Sequence, residues 1–317
     1  KNLKTAEPRN GFTVGIVDDI TFTSLPEYEL DMDTTPQGTT CCKFWGLGAD
    51  GTVSANKSAV KIIGDHTDMY AQAYFAYDAK KSGGITVSHL RFGHTPIRSS
   101  YLITKADFVA CHNQSYVNKY DVLAGLKPGG KFLLNCEWRP EELEDKLPSP
   151  MKRFIAKNSI QFYIIDAAGI AAKIGLGGRI NMIMQSAFFK LASIIPSSDA
   201  VKYLKEALAE DYGKQGQKIV DMNEAAVEQG MQAIVRIDAP AEWERAVDPA
   251  PELHHATGSG DADPDGMAAF VSDIVIPMNR QEGDSLPVSV FKGREDGTFP
   301  CGTTAYEKRG IAVEIPE

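Results

Sequence analysis

The chain has 317 residues, of which 43% are hydrophobic and 24% charged, as in a folded globular protein with one large domain and a smaller one. Its formal net charge is −9 and it has no long basic run, which argues against nucleic acid as a partner. The longest apolar run, residues 180–195, is interrupted by polar residues and is shorter than the ~20 residues of a membrane span, so we expect a buried helix and no membrane partner. Five cysteines without C-x-x-C spacing favour a reducing, cytoplasmic compartment.

The first part of the chain predicts an α/β domain. A strand-like opening over 11–26 leads through an acidic, proline-containing bridge to the domain itself. Apolar runs then predict a series of strands and two helices. The strands cover 42–47, 70–78, 84–92, 107–112, 131–136 and 160–166, and the helices cover 53–64 and 115–126. This alternation favours a three-layer domain with a largely parallel sheet and helices on both faces.

The second part of the chain predicts helices and then a weakly structured end. Amphipathic helices are predicted over 196–212, with Ser198 or Asp199 as the N-cap, and over 216–237. Strand-like pieces over 270–279, 286–291 and 311–317 predict a small C-terminal extension with little core of its own. The expected organisation is an N-terminal strand and linker (1–38), the α/β domain (39–240), a linker (241–265) and the C-terminal unit (266–317).

A glycine array lies between the first strand of the domain and its first helix. Gly46, Gly48 and Gly51 form a GxGxxG pattern, which at a strand-to-helix turn predicts an anion site at the helix N-terminus. Asp78 follows the next strand and is a candidate ribose-binding acid, as in a dinucleotide site. Lys57 and Lys61, one helical turn apart, suggest more phosphate charge than a single pyrophosphate carries. A turn that serves only the strand-to-helix geometry explains the bare array equally well.

Further polar residues are expected near the same turn. Ser88, His89 and Arg91 lie at the end of a predicted strand, and Arg98 follows; ligands of open α/β sheets bind beyond the carboxyl ends of strands. Arg179 lies just before an apolar helix whose Asn and Gln side chains need partners. An ordinary ion pair explains each arginine equally well. The histidines lack metal-ligand spacing, so we expect no metal site.

Several long stretches resemble one known family. "CCKFWGLGADGTVSANKSAVKIIG" within residues 37–93, and "GGRINMIMQSAFFKLA" over 177–192, resemble the γ-type domain of pyruvate:ferredoxin (flavodoxin) oxidoreductases, the 2-oxoacid oxidoreductase family. Residues 275–317 resemble the region before the ferredoxin-like cluster domain of the single-chain enzymes. The resemblance indicates a segment of a longer enzyme.

The resemblance implies a reaction and its cofactors. Family members convert pyruvate, coenzyme A and an oxidised acceptor into acetyl-CoA, carbon dioxide and the reduced acceptor, ferredoxin or flavodoxin. They use thiamine diphosphate with magnesium and [4Fe-4S] clusters, which on this view belong to the remaining domains of a homodimeric enzyme. This segment would bind coenzyme A and would be inactive alone, with no catalytic or metal-binding residue of its own.

The predicted coenzyme A contacts follow from the resemblance together with the anion site. Gly48, Asp50, Gly51 and Thr52 are expected at the turn, and Asn56 and Lys57 are expected to contribute side chains. Further candidates are Ser88, Arg91, Arg98 and Arg179. Two alternatives stay open: a structural module that docks and gates the catalytic domains, and an NAD-binding dehydrogenase domain that uses Asp78.

Overall fold

The computed structural model describes residues 6–8, 10–25, 33–48, 50–78, 84–247 and 266–303. The chain divides into two compact units, Asp33–Ala250 and a smaller one formed by Lys1–Met32 with Pro251–Glu317. The predicted strand over 311–317 lies outside the described residues. Within the described residues, no helix has both the length and the apolar character that a membrane span requires.

Strands and helices alternate through most of the larger unit. The strands of the chain are β1 (Thr13–Val14), β2 (Ser24–Leu25), β3 (Thr40–Leu47), β4 (Tyr70–Tyr77), β5 (Ile85–Gly93), β6 (Ala106–Cys111), β7 (Leu126–Asn135), β8 (Gln161–Ile165) and β9 (Val235–Ile237). The α-helices are α1 (Thr52–His66), α2 (Leu143–Lys146), α3 (Ser149–Lys157), α4 (Ala167–Ile174), α5 (Asn181–Ala192), α6 (Ser197–Tyr212), α7 (Gln217–Gln232), α8 (Met267–Phe270) and α9 (Ile276–Asn279).

A seven-stranded sheet in the order β4-β5-β3-β6-β7-β8-β9 forms the centre of the larger unit. β3, β6, β7 and β8 are parallel to their neighbours in this series, as predicted. β5 runs antiparallel to both β3 and β4, and β9 runs antiparallel to β8. The short connection from β4 to β5 explains the first reversal, because a parallel crossover needs about a dozen residues or more.

The sheet is covered on both faces, which confirms the predicted layers. One face packs under α1, α4, α5, α6 and α7, with Phe44, Phe108 and Phe188 in mutual ring contact at its centre. The other face packs under α2, α3 and irregular segments, with Phe132 stacked on Phe162. These two buried clusters hold the strand ends in fixed positions.

Three local predictions for the larger unit are wrong. The helix predicted over 216–237 ends at Gln232 as α7, and Val235–Ile237 form β9, which pairs with β8. The predicted helix over 115–126 is a short 3₁₀ helix, Gln114–Asn118, followed by turns. Gly125 has a φ of +76°, and a Cβ there would meet the Thr104 carbonyl oxygen at 1.9 Å, so the chain turns sharply and a helix cannot continue. The N-cap of α6 is Pro196, and Ser198 lies inside the helix because Ala200 N–H already donates to the Pro196 carbonyl.

The smaller unit is helical where strands were predicted. Residues 267–279 form α8, a π-helical turn over Val271–Val275 and α9, and a 3₁₀ helix covers Val288–Phe291. Its buried apolar residues, Phe270, Val271 and Ile274, have helical spacing, and a short apolar run does not distinguish the two structures. Ser289 N–H donates to Asp19 Oδ1 at 2.9 Å, so residues from the two ends of the chain meet.

Candidate functional site

The glycine turn joins the end of β3 to the start of α1. Gly51 is the N-cap of α1 and has a φ of +82°, a conformation that favours glycine. A Cβ at Gly51 would lie 3.2 Å from the Cβ of Asn181, at the start of α5. A Cβ at Gly46 would lie 2.4 Å from Thr52 Oγ1. The glycines therefore let β3 and the N-termini of two helices meet at one point.

Asp50 closes the turn from inside. Its Oδ2 accepts a hydrogen bond from Leu47 N–H, and its Oδ1 accepts one from Thr52 N–H, both at 2.8 Å. Both carboxylate oxygens are thus bonded to the backbone of the turn. In this geometry Asp50 shapes the loop, and its predicted contact with a ligand stays a prediction.

A buried polar chain ties the turn to the neighbouring strands. Thr52 Oγ1 lies 2.7 Å from His112 Nδ1, at the end of β6. Asn135, at the end of β7, donates to the His112 carbonyl at 2.8 Å and accepts from Ala167 N–H at 2.9 Å. Burial lowers the pKa of His112, and the charge of Asp50 opposes this effect, so the imidazole is neutral at pH 7. The carboxyl ends of β3, β6 and β7 and the start of α4 are therefore linked.

The sequence interpretation did not select His112 or Asn135. Both follow the rule that functional groups gather at the carboxyl ends of parallel strands, because each lies at or just beyond the end of a strand parallel in direction to β3. This position just after a predicted strand is the feature of the sequence from which both residues could have been selected. His112 was considered only as a metal ligand.

Two predicted side chains of α1 lie in different environments. Asn56 is buried, and its Nδ2 has no acceptor among the residues that the structure describes. Lys57 is exposed, with Nζ 5.6 Å from the ring centroid of Phe75. Lys61 Nζ lies 3.8 Å from Glu210 Oε2 in an exposed ion pair. Of the two lysines, Lys57 lies nearer the turn.

The structure brings one predicted arginine near the turn. Arg179 is exposed and precedes Asn181, which packs against Gly51, by two residues. The turn residues Gly48, Asp50, Gly51 and Thr52, the α1 residues Asn56 and Lys57, and the Arg179 segment thus lie at one edge of the sheet. We call it the carboxyl edge, because β3 and its parallel neighbours end there; the opposite end is the amino edge.

Ser88, His89, Arg91 and Arg98 do not share the carboxyl edge, and the predicted common crevice is wrong for them. β5 is antiparallel to β3, so Arg91 pairs with Cys41, near the start of β3. Six residue steps of β3 separate Cys41 from Leu47, the last residue before the turn, which is roughly 20 Å. Arg98 is exposed beyond the far end of β5.

Arg91 instead supports the amino edge from within. Its Nη1 donates to Gln72 Oε1 at 2.9 Å, and its Nη2 donates to the Tyr101 carbonyl at 2.8 Å. The guanidinium lies 5.1 Å from the Tyr101 ring centroid, and the side chain is buried. These contacts are those of a structural cation.

Two further basic residues, Lys43 of β3 and His89 of β5, pair across the two strands. Lys43 is buried and donates to the Ala124 carbonyl at 2.8 Å. His89 is buried and accepts from Ile103 N–H at 3.2 Å through Nδ1. Burial, together with the charges of Lys43 and Arg91, lowers the pKa of His89 to about 4. His89 is therefore neutral at pH 7.

Asp78 lies at the carboxyl edge, at the end of β4. Tyr77 pairs with Thr86, which pairs with Gly46, so the residue after Tyr77 is level with the turn. The expected position of this acid is thus reproduced. Its role as a ribose ligand stays a prediction.

The described residues contain no group of three or more His, Cys, Asp or Glu that could hold a metal ion. All five cysteines are free, and only Cys301 is exposed. Burial raises the pKa of Cys111 to about 12 and that of Cys136 to about 11, so both remain thiols at neutral pH.

Comparison with known proteins places these features in a family context. Residues 41–233 match the family described as pyruvate ferredoxin/flavodoxin oxidoreductase, and residues 260–312 match EKR, described as a domain of unknown function. The pyruvate-flavodoxin oxidoreductase of Enterobacter agglomerans is 65% identical over 99% of this chain and 26% of its own length. The pyruvate:ferredoxin oxidoreductase of Moorella thermoacetica is 55% identical over 100% of this chain and 26% of its own length. The chain therefore spans about a quarter of these relatives.

A solved structure supports the fold. The pyruvate oxidoreductase subunit PORC of Thermotoga maritima aligns with 64% of this chain and 100% of its own chain, with a TM-score of 0.51 and 18% identity. At this identity the likeness concerns the fold alone.

Proposed function

The chain belongs to the pyruvate ferredoxin/flavodoxin oxidoreductase family, and on that premise we propose that it is the coenzyme A-binding segment of such an enzyme. The complete cytoplasmic enzyme converts pyruvate, coenzyme A and oxidised ferredoxin or flavodoxin into acetyl-CoA, carbon dioxide and the reduced acceptor. The remaining domains of a homodimer carry the thiamine diphosphate and the clusters. The segment alone is inactive.

The observation that carries the proposal is the buried amide of Asn56 beside an open helix N-terminus. Gly51 caps α1 without a side chain. Of the first-turn N–H groups, that of Thr52 donates to Asp50 Oδ1, and no N-cap side chain accepts from the groups that follow it. Helical side chains lean toward the N-terminus, which directs Asn56 toward the turn. Its Nδ2 finds no acceptor in the described part of the chain, and a buried donor in that state costs about 1–3 kcal/mol. A phosphate oxygen on the turn supplies an acceptor.

The charges near the turn suit a ligand with several phosphates. Coenzyme A carries a pyrophosphate and a 3′-phosphate, and the exposed Lys57 and Arg179 are available for charge-assisted hydrogen bonds. Asp50 opposes an anion at short range, but its oxygens already accept two backbone N–H groups. We therefore assign the phosphates to the outer side of the turn, toward Lys57.

The iron–sulfur clusters do not fit the described residues of this segment. An iron–sulfur cluster needs several thiolates together, whereas four of the five cysteines are buried singly or as an adjacent pair in the sheet.

Calorimetric titration with coenzyme A tests the proposal. We expect saturable binding that weakens with dephospho-coenzyme A and is weaker by about tenfold, or ~1.4 kcal/mol, in Lys57→Ala. Lys61→Ala is the matched control, because it removes a neighbouring exposed lysine that is paired with Glu210. No binding of coenzyme A, by the chain or by its complete polypeptide, would contradict the proposal. Binding of NAD instead would favour the dehydrogenase reading, with Asp78→Asn as its test.

The smaller unit favours a second candidate, a docking module. Val14, Phe22, Met278 and Phe299 are each more than half exposed, and we take them as candidate contact residues. Removal of residues 1–32 together with 251–317 should then disrupt assembly of the complete enzyme without changing the affinity of the larger unit for coenzyme A. Unchanged assembly would exclude this candidate.

A further inference from the structure

Two buried hydrogen-bond donors lie at the carboxyl edge without acceptors. Trp45, two residues before the end of β3, is 5% exposed, and Tyr116, in the 3₁₀ helix after β6, is 4% exposed. Neither Trp45 Nε1 nor the Tyr116 hydroxyl has a partner among the described residues. Folded proteins contain few such groups, and each one requires an explanation.

Tyr120 joins the two side chains into one cluster. Its ring stacks on that of Trp45, with centroids 5.8 Å apart and planes at 25°, and meets that of Tyr116 edge-on at 5.4 Å. Tyr120 is only partly buried, so one side of the cluster reaches solvent. The cluster lies on the face of the sheet opposite α1, immediately beside the glycine turn.

Charges of both signs lie near the cluster, and Lys43 Nζ is 5.9 Å from the Trp45 ring centroid. Burial, followed by the charges of Asp50 and Asp78 among others, raises the pKa of Tyr116 well above its usual value. The phenol therefore stays protonated at neutral pH and can donate. An uncharged acceptor satisfies these donors without bringing a further anion close to Asp50 and Asp78.

The position of the cluster suggests which part of a ligand supplies that acceptor. The phosphate side of the turn faces α1 and Lys57, whereas Trp45 lies across the sheet edge from it. A long ligand that crosses the turn would have its charged head on one side and a neutral arm on the other. The arm of coenzyme A, pantetheine, is uncharged and contains two amide carbonyl groups, which are strong acceptors.

We propose that the Trp45 indole N–H and the Tyr116 hydroxyl bind amide carbonyl oxygens of the pantetheine arm of coenzyme A, and that Tyr120 packs against the arm. This inference rests on the proposed function and adds a second subsite to it. The head group binds at Lys57 and the turn, and the amide subsite directs the arm away from the phosphates. The two subsites are separable, because different residues serve them.

The test measures two ligands on the complete polypeptide in which the chain occurs. Coenzyme A has both parts, whereas adenosine 3′,5′-bisphosphate has the adenosine, the 3′-phosphate and one of the two 5′-phosphates without the arm. We expect Trp45→Phe and Tyr116→Phe each to weaken coenzyme A binding about five- to thirtyfold and to change the affinity for the bisphosphate less than twofold. Lys57→Ala should weaken both ligands.

Trp243→Phe is the matched control. It also removes an indole N–H, but one that already donates to Glu144 on a distant part of the unit, so its coenzyme A affinity should equal that of the unaltered protein. Unchanged coenzyme A binding in both Phe variants, or equal losses for both ligands, would overturn the amide subsite. Failure of the unaltered protein to bind coenzyme A would overturn the proposed function itself.

A measurement without substitution covers the case in which a variant does not fold. With ¹⁵N-labelled indole groups, the Trp45 N–H resonance should move downfield on addition of coenzyme A and stay in place with the bisphosphate. If coenzyme A binds and the chemical shift of the Trp45 N–H does not change, the proposal is contradicted.

Discussion

The two edges of the seven-stranded sheet differ in how their buried polar groups are satisfied. At the amino edge, Arg91, Lys43 and His89 each bond to a neutral partner, so these basic groups are mostly satisfied by the fold itself. At the carboxyl edge, Asn56 and Trp45, together with Tyr116, present donors that have no acceptor in the described structure. Buried charge therefore does not mark the binding site here. A buried donor without an acceptor is the better indicator of the binding site.

The comparison has exceptions in the larger unit, and they are instructive. Thr39 Oγ1, Ser88 Oγ and Arg91 Nε also have no partner within the described ranges, although they lie away from the turn, and both amide atoms of Gln185 lack one inside α5. All four side chains are buried, and none of them lies at the start of a helix. An unpartnered atom indicates a site only where the backbone also leaves room for a ligand.

The largest expected effect tests the structural role of Arg91. Arg91→Ala leaves the Gln72 Oε1 and the Tyr101 carbonyl without their donor and opens a cavity, so the free energy of unfolding should fall by about 3–4 kcal/mol. Urea denaturation measures this change. Arg98→Ala, at an exposed position, should change it by less than about 0.5 kcal/mol. If Arg91→Ala kept its stability but bound coenzyme A more weakly, Arg91 would be a binding residue and not a structural one.

The second effect tests the close packing at the carboxyl edge. Gly46→Ala places a Cβ 2.4 Å from Thr52 Oγ1, so Thr52 must move and its contact with His112 is lost. We expect a loss of about 2–3 kcal/mol in unfolding free energy. Gly64→Ala in α1 meets open space and should stabilise by about 0.5–1 kcal/mol. If Gly46→Ala changed the unfolding free energy no more unfavourably than Gly64→Ala, the turn would have room for a Cβ at position 46.

The sequence predicted the local elements at the carboxyl edge. It did not predict the features that depend on which distant strands pair and in which direction. The strand, turn and helix from Thr40 to His66 follow from apolar runs and glycine spacing, which act over a few residues. The direction of β5 is not encoded in its own residues, because an apolar strand has the same pattern in either direction. The assignments of Ser88 and Arg91 to the turn depended on that direction and were wrong for this reason.

Asn56 shows that a residue can be placed correctly from the sequence while its hydrogen-bonding state cannot. Its place on α1 was predictable from spacing, but the absence of an acceptor for its Nδ2 depends on how α1 packs in the fold. The amide subsite was hidden for the same reason, since Trp45 and Tyr116 come together around Tyr120 only when β3 pairs with β6. Residue type and spacing locate such a site, and three-dimensional packing reveals its unmet bonds.

A third, smaller effect is a loss of stability at low pH, to which one buried histidine at each edge contributes. The folded-state pKa of His89 is about 4, below the usual 6.5, so the unfolded chain binds more protons below pH 6.5. Stability is therefore complete above pH 6.5 and falls by about 1.4 kcal/mol for each pH unit between 6.5 and 4. His112, whose pKa is also lowered, adds to the slope. Denaturation at pH 7.5 and 5.5 measures it.

His89→Asn isolates the share of this histidine, because the amide oxygen can replace Nδ1 as the acceptor for Ile103 N–H. The variant should lose less stability than the unaltered chain on acidification. His94→Asn, at an exposed position, controls for removal of an imidazole. An unaltered slope in His89→Asn would mean that His89 accepts a proton in the folded state.

The smallest expected effect is that of Asp50→Asn, which tests the role of Asp50. If Asp50 only holds the turn, Asp50→Asn keeps one acceptor oxygen, loses one bond to Leu47 or Thr52 N–H, and costs about 1 kcal/mol of stability. The substitution also removes a negative charge beside the proposed phosphate position, so coenzyme A should bind about two- to threefold more tightly at low salt, and this gain should vanish at high salt. If Asp50 instead contacts the ligand directly, the affinity falls at every salt concentration. The sign of the change in titrations at two ionic strengths therefore separates a residue that shapes the carboxyl edge from one that binds there.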